Sequence, residues 1–233
     1  MRRFFGRKEN DNIIIEGSEF IHMKKVLRMS EGDKFIASVN DEYDYYATIE
    51  KINKENLIAS IEKKEICPAL PKNNLVLFQM MPKKEYFDSI LPKAIELGVN
   101  EIYFFSSSYT MVKDFKRERV NQQVLSACKQ CERSLLVPVH DVIKFNQMLE
   151  MIKEFDVILF PNEHEKSIKF DTNLVKNKKN IAVVIGNEAG FSEDEASLII
   201  KNGAKSFTLG RRILRCDTAV VATLTLASLF SEN

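Results

Sequence analysis

Towards its C-terminal end the chain reads LGRRILRCDTAVVATL, Leu209 to Leu224, and nine of these residues hold three arginines (Arg211, Arg212, Arg215) and Asp217. The charged group sits between a strand-like apolar run and a helix-like one. Arginine offers five N–H donors in a fixed fork suited to carboxylate or phosphate. An aspartate at the start of a helix is explained by capping, but three arginines beside it are not. From pattern alone two readings stand: a site for a carboxylate or phosphate, or an ion pair of Arg215 with Asp217 or Glu188 that leaves Arg211 and Arg212 solvated.

A second stretch of the same kind is IGNEAGFSEDE, Ile185 to Glu195, where Gly186 and Gly190 flank Glu188. It follows a buried-looking strand and precedes a helix, the place where open α/β sheets bind ligands. It is neither a G-x-G-x-x-G nor a P-loop, since no Gly-Lys-Ser/Thr follows. A ligand loop and a plain turn with a cap both fit. Ser192 and Glu195 make a capping box for the helix that follows.

Other chemistry is poorly supplied. Cys128 and Cys131 form a C-x-x-C on a helical period, and no second cysteine pair or nearby histidine completes a zinc set. His22, His140 and His164 are scattered. Packing is the expected role of the thiols, and no metal is expected.

The elements that must carry these loops can be read from period. Residues 12–66 contain NIIIE, KFIASV, YDYYATIEKI and NLIASIEKKEI separated by turn residues, the pattern of a small β-barrel. CPALPKNN is the linker. After residue 73 strands alternate with helices, as in a parallel α/β sheet: strands at LVLFQM, EIYFF, DVILF, IAVVI and SFTL, and helices at about 85–97, 115–133, 144–154, 193–202 and 218–231. Two domains follow, 1–70 and 73–233.

The totals are those of an ordinary folded protein, with 233 residues, 45% of them hydrophobic, and a net charge of +1. No global field advertises a nucleic-acid partner, although residues 1–30 hold seven basic side chains against four acidic ones. The N-terminus lacks an apolar signal region and no run is long enough to span a membrane, so a cytoplasmic location and no membrane partner are expected.

The two loops, in this order and spacing, resemble the SPOUT superfamily of S-adenosylmethionine-dependent RNA methyltransferases, and most closely its RsmE family, which methylates N3 of a uridine in 16S ribosomal RNA. That family's Gly-Pro-Glu-Gly-Gly-Phe-Ser is matched by GNEAGFSEDE, and its Leu-Gly-x-Arg-Ile-Leu-Arg-x-Glu-Thr-Ala by LGRRILRCDTA. MRRFF and HMKKVLRMSEGDKF resemble its PUA-like N-terminal barrel, PKAIELGVNEI its Lys-Ala-Thr-Glu-Leu-Gly-Val segment, and SACKQCERSLLVPV part of its Glu-Gln-x-x-Arg-x-x-x-Pro segment. Asn187 and Ala189 depart from the family's Pro and Gly, Asp217 from Glu and Lys129 from Glu, and Tyr109 stands where an arginine is usual.

The resemblance implies a trefoil-knotted α/β domain threading after about residue 185, a homodimer, and the small ribosomal subunit or its 16S RNA as partner. It implies an S-adenosylmethionine pocket built from Phe160, Pro161, Gly186, Glu188, Gly190, Leu209, Gly210, Ile213, Leu214, Thr218 and Ala219. Within it, backbone groups of Leu209, Ile213 and Leu214 would read the adenine edge. Arg215, Asp217 and Glu188 are the implied catalytic residues, and Arg2, Arg3, Arg7, Arg28, Arg211 and Arg212 the RNA contacts, with Phe4 or Phe5 stacking on bases or packing inside. Two alternatives remain: a SPOUT enzyme acting on a ribose 2′-hydroxyl, suggested by Asn187, and a non-catalytic RNA-binding assembly factor.

Overall fold

The structure is a computed structural model that describes residues 1–108, 110 and 114–231. Tyr109 lies outside the described residues. The chain divides into two compact units, one of residues 1–70 with 128–136 and the other of residues 71–127 with 137–233. The return of 128–136 to the first unit departs from the simple division at the linker.

The first unit is a six-stranded sheet. Its elements are β1 (Arg3–Phe5), β2 (Arg7–Glu9), β3 (Asn12–Glu16), α1 (Gly17–Ile21) continued by a wide helical turn at His22–Val26, β4 (Lys34–Ser38), β5 (Tyr43–Ile52) and β6 (Asn56–Ile66). The strand order is β1-β4-β5-β6-β3-β2. β1 and β2 therefore occupy opposite edges, yet only Gly6 separates them in the chain. Two residues span about 7 Å, so the edges must meet and the sheet must close. Gly6 is required at that seam: a Cβ there would lie 2.4 Å from Ile15 Cδ1 and 2.6 Å from the Ile14 carbonyl oxygen. Register shifts between β5 and β6 at Tyr46/Ala47 and Ile49/Lys51 supply the bending that closure needs.

Phe4, Ile13, Ile15, Phe35, Ile49 and Leu57 fill this barrel. Phe4 packs edge-on against Phe35, with ring centroids 5.8 Å apart, so of its two expected roles packing is the one observed. Lys129 pairs with Glu19 at 2.7 Å and stands over the Phe4 ring.

Arg3 corrects an expectation. It is buried, its guanidinium meeting both Asp44 carboxylate oxygens at 2.5 and 2.8 Å and the Ser38 hydroxyl at 2.7 Å. Burial alone would lower its pKa, but the Asp44 hydrogen bonds and charge outweigh burial and hold it above the ordinary value. Such a residue is not available to RNA.

The second unit contains β7 (Asn74–Met80), α2 (Lys84–Glu96), β8 (Glu101–Ser106), α3 (Arg117–Gln130), β9 (Ile143–Lys144), α4 (Phe145–Met151), β10 (Val157–Pro161), β11 (Asn180–Ile185), α5 (Glu193–Lys201), β12 (Lys205–Phe207) and α6 (Cys216–Ser231). Its strands run in the order β12-β10-β11-β7-β8-β9, all parallel. β11 is buried from Ile181 to Ile185 without alternation, as a strand covered on both faces must be. α3 ends at Gln130, earlier than the periodicity predicts, because Glu132 turns to a φ of 62°. Cys128 is thus helical and Cys131 lies in the following turn.

Among the described residues no helix is long and apolar enough to cross a membrane.

Removing one partner of a buried ion pair leaves an unpaired charge. Arg3→Met is expected to lower stability by about 3–5 kcal/mol in urea unfolding. Arg3→Met with Asp44→Leu should recover most of the loss, and equal losses in the single and double variants would contradict this account.

Candidate active site

Because the strands are parallel, the loops after β10, β11 and β12 all leave the sheet at one edge, and there they enclose a cavity of about 290 Å³. That lies at the lower end of small-ligand sites. Pro161 comes from the first loop, Gly186, Glu188 and Gly190 from the second, and Leu209, Gly210, Ile213 and Leu214 from the third, with Ala219 from the first turn of α6. The three arginines Arg211, Arg212 and Arg215 also line it.

Three expected residues do not. Phe160 is fully buried beneath the cavity, where its ring meets Phe191 edge-on at 5.4 Å. Phe191 forms the wall and lies 3.1 Å from where a Gly186 Cβ would be. Thr218 is exposed on α6 and is not among the lining residues. Asp217 is turned towards α2: its Oδ2 accepts from the Ser89 hydroxyl at 3.0 Å and from Lys93 Nζ at 3.4 Å.

The β11 loop is fastened along its length. Asn187 is buried, its Oδ1 accepting from the Ala189 N–H at 2.9 Å and its Nδ2 donating to the Met81 carbonyl at 3.4 Å. Glu188 accepts from the Lys83 N–H at 3.3 Å and faces Lys83 Nζ at 3.8 Å. Gly190 has a φ of 70°, and a Cβ there would lie 2.4 Å from Glu163 Oε1. Beyond the loop, Glu195 completes the capping box with Ser192 and also accepts from the Ser108 hydroxyl at 2.8 Å. Burial raises its pKa, but the hydrogen bonds from Ser107, Ser192 and Ser108 outweigh burial and keep it below its ordinary value.

The acids of the site are therefore engaged while its arginines are not. Among the described residues neither Arg211, Arg212 nor Arg215 forms an ion pair, so the pairing of Arg215 with Asp217 or Glu188 is not observed. Burial pushes Asp217 up, but Ser89, the Lys93 charge and the Thr218 N–H prevail and hold it below the usual carboxylate value. The Cys216 thiol, which lines the cavity, is pushed up to about 12 by burial and by the charges of Glu188 and Asp217, so it stays protonated.

The third loop departs from the expected strand SFTL. β12 ends at Phe207, because the Thr208 hydroxyl accepts from the Gly210 N–H and donates to the Gly210 carbonyl. Among the described residues the backbone groups of 211–214 make no hydrogen bond. A cavity edged with unpaired backbone donors and acceptors fits a flat heterocycle with a polar edge. No group of three His, Cys, Asp or Glu capable of holding a metal occurs among the described residues.

Tyr86, Asn162, Glu163, His164 and Lys166 also line the cavity and were not singled out from the sequence. The rule that selected the other loops, a polar turn directly after a buried strand, also selects PNEHEK after DVILF.

Comparison with known proteins settles the family. Residues 68–228 match the RNA methyltransferase domain and residues 15–62 the RNA methyltransferase PUA domain. The ribosomal RNA small subunit methyltransferase E of Mesomycoplasma hyopneumoniae is 31% identical, over 97% of this chain and 98% of that one. The chain belongs to the ribosomal RNA small subunit methyltransferase E family. The protein of that name from Buchnera aphidicola (strain APS) is 32% identical over 91% of this chain and 85% of that one. The crystal structure of the Neisseria gonorrhoeae methyltransferase E bound to S-adenosyl methionine has the same fold, with a TM-score of 0.82 at 24% identity, covering 96% and 95% of the two chains. The parallel α/β domain with a PUA-like barrel before it is thus the fold of this family, and the protein is an RNA methyltransferase.

A carboxylate held below its ordinary value of 3.8 stabilises the fold above that pH and loses the contribution as pH falls through its folded-state value. Asp217→Asn is therefore expected to be less stable than the parent at pH 7, by about 0.5–1 kcal/mol, with the gap closing below the ordinary value. A gap unchanged between pH 7 and the acid limit of folding would refute the tether to Ser89 and Lys93.

Proposed function

We propose that the protein transfers a methyl group from S-adenosylmethionine to N3 of a uridine in 16S RNA of the small ribosomal subunit. The observation that carries this reading within the site is the cavity edged by unpaired backbone groups with unpaired arginines at its mouth. Residues 1–70 would serve as the RNA-binding domain and 73–233 as the catalytic one, acting in the cytoplasm as a homodimer with a trefoil knot after residue 185.

Pro161, Gly186, Glu188, Gly190, Leu209, Gly210, Ile213, Leu214 and Ala219 would hold the cofactor, whose sulfonium supplies an electrophilic methyl group. Phe160 supports the pocket from below, and Thr218 lies in the first turn of α6 beside it. Uracil N3 carries a proton at neutral pH and is a weak nucleophile until it leaves. Glu188, which lies in the cavity wall, would accept that proton, and Arg215 would stabilise the uracil anion that results. Asp217, tied to α2 and held below its ordinary pKa by Ser89 and Lys93, positions the start of α6 instead. Arg211 and Arg212 at the mouth, with Arg2, Arg7 and Arg28 on the barrel, would bind phosphates. Arg7 is already shared with Glu9 and Glu16.

The ribose reading rests on Asn187, whose amide is committed to backbone partners, and it has no other support here.

Arg215→Ala should lower kcat by about 10²-fold or more while calorimetric affinity for S-adenosylmethionine changes less than about threefold. Equal losses would remove its catalytic role. Mass spectrometry of 16S RNA from a deletion strain should show loss of a base methyl; loss of a ribose methyl would replace N3 as the target. RNA affinity should fall steeply with salt, and the slope should flatten by about 0.7–0.9 per arginine removed at Arg2, Arg28, Arg211 or Arg212. An unchanged slope would take that residue out of the RNA surface.

A further inference from the structure

Gln79 is the last residue but one of β7, and its backbone pairs on both sides, with Ile185 of β11 and Phe104 of β8. Its side chain is fully buried. Both donors of the amide are used: Nε2 donates to the Met80 carbonyl at 2.8 Å and to the Gly186 carbonyl at 3.0 Å. Oε1 is buried with no partner among the described residues. An amide with an orphaned oxygen in an apolar interior is unfavourable, and a methionine of similar size would remove that oxygen while leaving the Met80 and Gly186 carbonyls without this donor. Filling space does not account for a glutamine here.

Its partner does. The Gly186 carbonyl belongs to the first peptide of the β11 loop, and fixing it fixes the plane of the whole Gly186–Asn187 unit. The next two residues of that loop are fastened to the same extended tail of β7. Asn187 reaches the Met81 carbonyl, and Glu188 accepts from the Lys83 N–H. Residues 79, 81 and 83 thus hold 186, 187 and 188 in turn. Gln79 makes the innermost and most buried of these three attachments, and it is the one whose loss would free the loop at its root.

We propose that Gln79 is a positioning residue for the cofactor loop: its amide sets the Gly186 peptide and, through it, the shape of the wall carrying Glu188 and Gly190. The proposal rests on the methyl-transfer reading for its functional consequence, and on hydrogen bonding alone for its structural one. It predicts that removing the amide loosens the loop and weakens cofactor binding, and that kcat falls less than affinity although the same wall carries Glu188.

The test uses the full chain with Gln79→Met. In the absence of any ligand, amide exchange at Ala189 and Gly190 should accelerate by about tenfold or more, while Val183 and Val184 in β11 stay unchanged. Calorimetric titration should show S-adenosylmethionine binding weakened by about tenfold or more, with kcat at saturating cofactor lowered by a smaller factor than affinity. Exchange and affinity both within about twofold of the parent would overturn the proposal. So would a loss confined to kcat. If the parent itself fails to bind S-adenosylmethionine, the methyl-transfer reading fails, and the exchange measurement still decides whether Gln79 holds the loop. Should Gln79→Met not melt cooperatively, Gln79→Asn, which keeps the amide but withdraws it by one carbon, carries the same expectations.

Discussion

The parallel pairing of β11 with β7 is the constraint on which the cavity edge depends. Asn180 to Ile185 lie in register against Asn74 to Gln79, so the two strands finish together and their loops leave the sheet side by side. That coincidence lets residues 79, 81 and 83 meet 186, 187 and 188. β10 on the other flank of β11 supplies Pro161 and the Asn162–His164 turn, and β12 beyond it carries 208–215 to the cavity. An antiparallel neighbour would send its loop to the opposite edge and leave a wall missing. Parallel strands need long crossovers; α2 lies in the one from β7 to β8 and α5 in the one from β11 to β12.

Charge at this edge is organised by engagement rather than by number. Glu188 is held by Lys83, Asp217 by Lys93 and Ser89, and Glu195 by the serines around it. With each carboxylate bound to a partner of its own, Arg211, Arg212 and Arg215 are left facing the cavity without a counter-charge. A net charge of +1 for the chain conceals this completely, because it counts residues and not partners. Coulomb interactions at such a mouth act over roughly a Debye length, about 8–10 Å at physiological salt. Local engagement therefore sets the field that an anionic chain would meet.

What could be read from the sequence was whatever is local. NIIIE, LVLFQM and IAVVI form strands because β-branched and apolar side chains dominate each run, and the Ser192–Glu195 box forms because its partners are three residues apart. The β11 and β12 loops stood out for the same reason, as polar turns directly after buried strands. Short elements such as β1, β2 and α1 hold too few residues to express a period. Long-range pairings were invisible. Asp217 looked like a cap or a base, and Ser89 and Lys93, more than 120 residues away, decide otherwise. Arg3 looked like an RNA contact beside Arg2, but it lies opposite Asp44, and the returning segment brings the charge of Glu132 near as well.

The departures from the family pattern in the β11 loop follow the same logic. A proline at position 187 would stiffen the loop by fixing φ, and an asparagine gives up that restraint. In its place the Asn187 side chain accepts the Ala189 N–H and its carbonyl accepts the Gly190 N–H, closing a turn of the kind that asparagine favours. Its Nδ2 then ties the turn to Met81, a contact no proline could make. The loop is held by hydrogen bonds at Gly186, Asn187 and Glu188 instead of by a ring, and Glu188 sits within that fastened stretch. A change of residue type at 187 is therefore compatible with an unchanged wall, and it gives no reason of its own to assign a different methyl acceptor.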